Sequence, residues 1–91
     1  MLKELVFNAV VFQEDDVYVG LCPELNVSSF GEDVEDAERS LKEAVWAFIE
    51  TCEEMGTLVE VLEEAGFLKE KETWFSREPI TEERLAISKP T

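Results

Sequence analysis

The chain predicts an α+β (α/β) domain: a small antiparallel sheet of three to four strands, one long helix packed across it, and a second short helix. Three observations carry this. Two runs rich in β-branched and aromatic residues lie near the N-terminus, joined by acidic turn residues. Apolar residues then recur at spacings of three and four from Val34 to Cys52. A T-x-x-E sequence with a short apolar stripe follows at once.

The first run, Leu5 to Gln13, is too short for a stable helix and reads as one strand. Asp15 and Asp16 form the turn, and Val17 to Cys22 is the second strand. Alternation places Val6, Val10, Phe12, Val17, Val19 and Leu21 on one face. The other carries Leu5, Phe7, Ala9, Val11, Tyr18, Gly20 and Cys22. Both faces are apolar, so one lies under a helix and the other calls for a different cover, such as a second subunit. Pro23 to Asn26 reads as a turn, because Pro23 has no N–H to donate to a sheet. Val27 to Phe30 is a third strand, ended by Gly31.

Asp33 is a good N-cap with Asp36 three residues on, and Gly56 is a stop signal. Between them Val34, Ala37, Leu41, Ala44, Val45, Phe48, Ile49 and Cys52 form one helical face. A helix over 34–55 is about 33 Å long, so it spans the domain and lies along the sheet. Thr57 to Glu60 reads as a capping box. Leu58, Val61, Leu62 and Ala65 form the stripe of a second helix, ended by Gly66. Residues 1–91 make a single domain, with a core over 3–67 and a C-terminal extension over 68–91. Within the extension Trp74 and Phe75 are candidates for core or interface anchors, and 84–88 could form a closing strand.

Charge is the strongest compositional signal. Eight basic residues face twenty-two acidic ones, a net charge of −14, and histidine is absent. This argues against phosphate backbones and anionic membranes, and for a basic partner or high solubility. It also removes His-based triads, His–metal sites and imidazole pH switches. Residues 32–66 hold two bases and twelve acids, whereas residues 67–91 hold five of each. Glu53, Glu54, Glu60, Glu63 and Glu64, off the apolar stripes, are the candidate partner-binding residues. The two cysteines are too few for a disulfide scaffold. No basic leader or apolar run of membrane-spanning length is evident, so the expectation is a cytoplasmic protein with reduced thiols.

One arrangement resembles a known family. The hairpin is followed by Cys22-Pro23-Glu24-Leu25, then Ser29-x-Gly31. A capped helix then contains Glu35-Asp36-Ala37 and Lys42-Glu43-Ala44-Val45, and Val61 to Phe67 closes the pattern. Over roughly residues 3 to 67 this is similar to the HicB antitoxin-like family, in a short prokaryotic form without a DNA-binding module. Asp33 replaces a frequent Thr, and Asn26-Val27 replaces a frequent Pro-Gly-Cys. The resemblance implies a partial RNase H-like sheet and homo-oligomers. It also implies binding to a small basic ribonuclease toxin of the HicA type.

A metal-dependent nuclease needs acids converging on two ions. Its candidates are Asp15, Asp16, Glu24, Glu32 and Asp33. Asp15 and Asp16 suit an ordinary turn, and Asp33 suits a cap. No Ca²⁺ loop spacing appears around Gly31 to Asp36. Cys22 and Cys52 have no His to activate them and read as small core hydrophobes. The expectation is a non-enzymatic antitoxin domain with no cofactor, metal or direct nucleic-acid binding. A solitary domain acting by self-association is the alternative. The acid excess fits either partner binding or heat tolerance.

Overall fold

The structure is a computed structural model that describes residues 2–90. Eight elements follow in order: β1 (Glu4–Val6), β2 (Val10–Glu14), β3 (Val17–Cys22), β4 (Val27–Gly31), α1 (Val34–Met55), α2 (Leu58–Glu64), β5 (Leu68–Glu70) and β6 (Thr73–Phe75). The fold is α+β. Strands β2, β3 and β4 form an antiparallel sheet, and β1, β6 and β5 form a second, mixed one. The β2–β3–β4 sheet and the long helix follow the expected plan.

The residues dictate how α1 meets that sheet. Gly20 and Gly31 leave room for the helix. A Cβ on Gly31 would lie 2.5 Å from the Ala37 nitrogen, and one on Gly20 would lie 3.1 Å from the Ala37 carbonyl oxygen. Strand register puts Val11, Tyr18, Gly20, Cys22, Val27 and Ser29 on the same side. The helix covers this side, burying Ala37, Leu41, Val45, Ile49 and Cys52.

Both ends of α1 are fixed locally. The Asp36 N–H donates to Asp33 Oδ1 at 2.7 Å, and the Glu32 N–H donates to Asp36 Oδ2 at 2.9 Å. Arg39 pairs with Asp36 one turn on. At the far end Gly56 adopts a left-handed φ of 72°. Its N–H donates to the Glu53 carbonyl at 3.1 Å, and the Thr57 N–H donates to the Cys52 carbonyl at 2.9 Å. This is a Schellman termination, and only Gly56 and Thr57 separate the two helices. The capping box expected at Thr57 does not form. The Thr57 hydroxyl donates backwards to the Cys52 carbonyl at 3.4 Å, so Thr57 finishes α1 and leaves the first turn of α2 uncapped. The pattern repeats at the end of α2, where Gly66 and Phe67 donate to the carbonyls of Glu63 and Leu62. Leu62 and Phe67 are both buried, which supplies the apolar contact that accompanies such an ending.

Three further sequence expectations are corrected. The run from Leu5 to Gln13 is not one strand. It breaks at Phe7 to Ala9, and its halves enter different sheets. The Asn8 side-chain amide sits at the break and donates to Glu24 Oε2 at 3.2 Å and to the Arg77 carbonyl at 3.4 Å. Residues 84–88 form no strand. The closing strands are β5 and β6, with β6 parallel to β1 through Glu4–Thr73, Leu5–Trp74 and Val6–Phe75. The core also exceeds 3–67. Leu2 and Trp74 join Cys22, Leu41, Val45, Ile49, Leu62 and Phe67 in one cluster. Trp74 is thus a core anchor, with the Lys69 ammonium 5.9 Å from its ring centre.

Candidate functional site

Two surfaces stand out, one charged and one apolar. The charged one lies around the corner between α1 and α2. Glu53 and Glu54 occupy the last turn of α1, and Glu60, Glu63 and Glu64 lie on α2. All five are exposed. No basic residue lies in the last turn of either helix. A helix C-terminus carries partial negative charge, and proteins commonly place Lys or Arg there. Here the acids sit where the backbone already repels them. Met55 and Val59 stand beside them, 69% and 54% exposed, and Trp46 on α1 is half exposed. Sequence reasoning did not single out these three. The departure of Trp46 from the apolar stripe was the available signal.

Among the described residues two ion pairs form: Lys3–Glu72 at 3.6 Å, and Arg39–Asp36. Heat-tolerant surfaces rest on networks of mixed sign. Two isolated pairs do not make one, so the heat-tolerance reading of the acid excess gains no support.

The apolar surface is the outer face of the β2–β3–β4 sheet. Val10 pairs with Leu21, Phe12 with Val19, Val19 with Phe30, and Glu14 with Val17. Phe12 is 55% exposed and Phe30 70%, with Val10 and Val17 also open to solvent. A hollow of about 370 Å³ lies between Glu14, Asp15, Val17, Val19 and Phe30. The face predicted from alternation to need a cover is uncovered within the single chain.

The acids considered for nuclease chemistry are dispersed along the fold. Asp15 and Asp16 form the β2–β3 turn, with Asp15 at a left-handed φ of 56°. Glu24 lies in the β3–β4 loop and accepts from Asn8. Glu32 and Asp33 shape the start of α1. Among the described residues no three His, Cys, Asp or Glu side chains gather as a metal site would require.

Cys22 and Cys52 are free and buried. Burial pushes the Cys22 thiol above its usual range, and the nearby Glu24 carboxylate adds to this against two favourable backbone contacts. A raised thiol holds little thiolate, the nucleophilic form. A groove of about 830 Å³ runs between Asn8 to Val11, Pro23, Glu24, Ala65, Gly66 and the segment from Arg77 to Glu82. No helix of the described residues is long and apolar enough to cross a membrane. Comparison with family models, with curated proteins and with solved structures found no match for this chain.

Proposed function

We propose that this chain is a non-enzymatic, cytoplasmic HicB-like antitoxin domain that neutralises a small basic ribonuclease of the HicA type through the acidic corner of α1 and α2. The observation that carries this reading is the placement of Glu53, Glu54, Glu63 and Glu64 at two helix C-termini without a compensating base. That arrangement costs the isolated chain stability, and an arriving cation relieves the cost. The net charge of −14 draws the partner in, and Met55, Val59 and Trp46 offer the apolar contacts that hold it. The Pro23-Glu24-Leu25 turn and the Ser29-x-Gly31 approach to α1 support the family reading.

The test is association kinetics against a purified HicA-type ribonuclease. Raising salt from about 50 to 500 mM shortens the Debye length from roughly 14 to 4 Å. Association is expected to slow about tenfold or more. Reversing Glu53, Glu54, Glu63 and Glu64 to Lys is expected to slow it further with the fold intact. No binding, or a rate indifferent to both changes, would refute the reading. A metal-dependent RNase H-like nuclease would instead cleave RNA, DNA or a hybrid in Mg²⁺ or Mn²⁺, and lose that activity on Asp15→Ala, Asp16→Ala or Glu24→Ala.

The uncovered sheet face favours a second reading, a solitary domain that acts by self-association.

A further inference from the structure

From Arg77 to Pro90 the chain forms no helix or strand, and every residue is exposed. This arm carries Ile80, Leu85 and Ile87 at 104%, 87% and 98% exposure, as open as residues in an unfolded chain. It accounts for the extended shape. The radius of gyration is 15.6 Å and the longest axis 54 Å, whereas a compact chain of this length has a radius of about 12 Å. Besides the apolar residues exposed on the helices, the single chain thus leaves the outer face of the β2–β3–β4 sheet and the arm uncovered. Each needs what the other offers.

We infer that the chain forms a two-fold dimer in which the arm of each copy, residues 79–90, lies across the outer sheet face of the other. Three observations select a second copy as the occupant.

The first is charge. Residues 79–90 hold Arg84 and Lys89 against Glu82 and Glu83, so the arm is neutral in a chain of net charge −14. It can approach the acidic body of another copy without adding to the repulsion, which a helical face of this chain cannot do.

The second is area. Three strands of five or six residues make a face of about 14 by 17 Å, roughly 250 Å². A standard interface buries about 800 Å² per partner, so face-to-face stacking alone falls short. Twelve extended residues expose on the order of 1,900 Å². Covering a third of that, once per arm, supplies the missing area.

The third is position. Pro79 and Glu82 flank Ala9, Val10 and Val11 across the 830 Å³ groove, so the arm starts at the β2 side of the sheet and projects outward. Strand β2 is an edge of its sheet, open to further pairing. Leu85 and Ile87 share one face of an extended segment, and that face meets Phe12, Val19 and Phe30. Exchange of identical arms closes about a two-fold axis and covers both sheet faces and both arms.

The experiment is mass by light scattering of the full chain at micromolar concentration, with three proteins. Wild type is expected at twice the chain mass of 10.4 kDa. Phe30→Glu is expected to halve that mass. So is the double variant Leu85→Glu with Ile87→Glu, whose side chains touch nothing in the body and whose far-UV circular dichroism should match wild type. A wild-type mass of 10.4 kDa overturns the inference, whether the arm closes on its own face or stays free. A dimer that Phe30→Glu breaks but the arm variant leaves intact also overturns it, because the faces then pair without the arms. A dimer indifferent to both variants overturns it as well.

Discussion

Reversing Glu53 and Glu54 to Lys is expected to stabilise the isolated protein while weakening its attraction for a basic partner. Both residues lie in the last turn of α1, and no base lies there. A single charge at a helix end contributes about 0.3–1 kcal/mol at low ionic strength, with a sign set by the dipole. Reversal removes an unfavourable term and adds a favourable one at each site. Glu50 and Glu54 are four residues apart on the helix. Glu54→Lys turns that repulsive pair into an attractive one in the better orientation, adding about 0.2–0.5 kcal/mol. For exposed groups the double variant should gain about 1–2 kcal/mol. Unfolding about 75 ordered residues carries an entropy near 160 cal/mol/K, so each kcal/mol raises the melting temperature by about 6 °C. Calorimetry in about 20 mM salt should show a rise of roughly 6–12 °C, and about 0.5 M salt should remove more than half of it. Glu35→Lys, in the first turn of the same helix, should lower the melting temperature. A double variant that melts at or below wild type in low salt would refute the helix-end argument. A gain indifferent to salt would show that it is not electrostatic.

Other outcomes follow from the same geometry. Gly31→Ala should prevent normal folding, because its Cβ meets the backbone of Asp36 and Ala37; loss of the cooperative urea transition is the readout. Asp33→Ala removes the Asp36 cap bond and should cost about 1 kcal/mol in urea, whereas Thr57→Ala, which has no N-cap bond to lose and gives up only the long hydroxyl bond to the Cys52 carbonyl, should cost less than about half that. Leu41→Ala should cost about 3 kcal/mol, since Leu41 is wholly buried between α1 and the sheet. The raised Cys22 thiol stays neutral in the fold where the unfolded chain has begun to ionise. Its contribution is full below the ordinary thiol range, near pH 8.5, and is lost as pH rises through the folded value. Urea stability should therefore fall on the alkaline side, and the fall should be smaller in Cys22→Ala.

The helix over 34–55 was legible to the residue, because Asp33 and Gly56 are strong local signals and the apolar stripe between them is unbroken. The exposure of the five glutamates followed from helix geometry, and the uncovered sheet face from alternation. What escaped the sequence depends on distant partners. Strand β6 is three residues long and exists through pairing with β1 nearly seventy positions away. Its hairpin with β5 places Lys71 at a left-handed φ of 59°, without the Asn-Gly or Asp-Gly pair that marks such turns. The break inside Leu5 to Gln13 was masked by continuous apolar alternation, with Asn8 as the one polar interruption. The Thr57 box failed because two helix ends compete for one residue. The exposed Met55, Val59 and Trp46 escaped because single apolar residues off a helix stripe are common on protein surfaces and each alone is a weak signal.

The parallel pairing of β1 with β6 also bears on the order of folding. Within the helix–sheet unit neighbours in space are near in sequence: β2 turns directly into β3, β3 into β4, and α1 packs back on both. Joining Glu4 to Thr73 closes a loop of almost the whole ordered chain, an entropic cost of about 4 kcal/mol on a random-chain estimate. Local contacts repay their closure first, so the hairpin and α1 should form a nucleus and the clasp between the two ends should close last. The same clasp should open first. The Leu5 and Trp74 amides are then expected to exchange with solvent well before those of Gly20 and Ile49, and the clasp can release without dissolving the helix–sheet unit that bears both candidate surfaces.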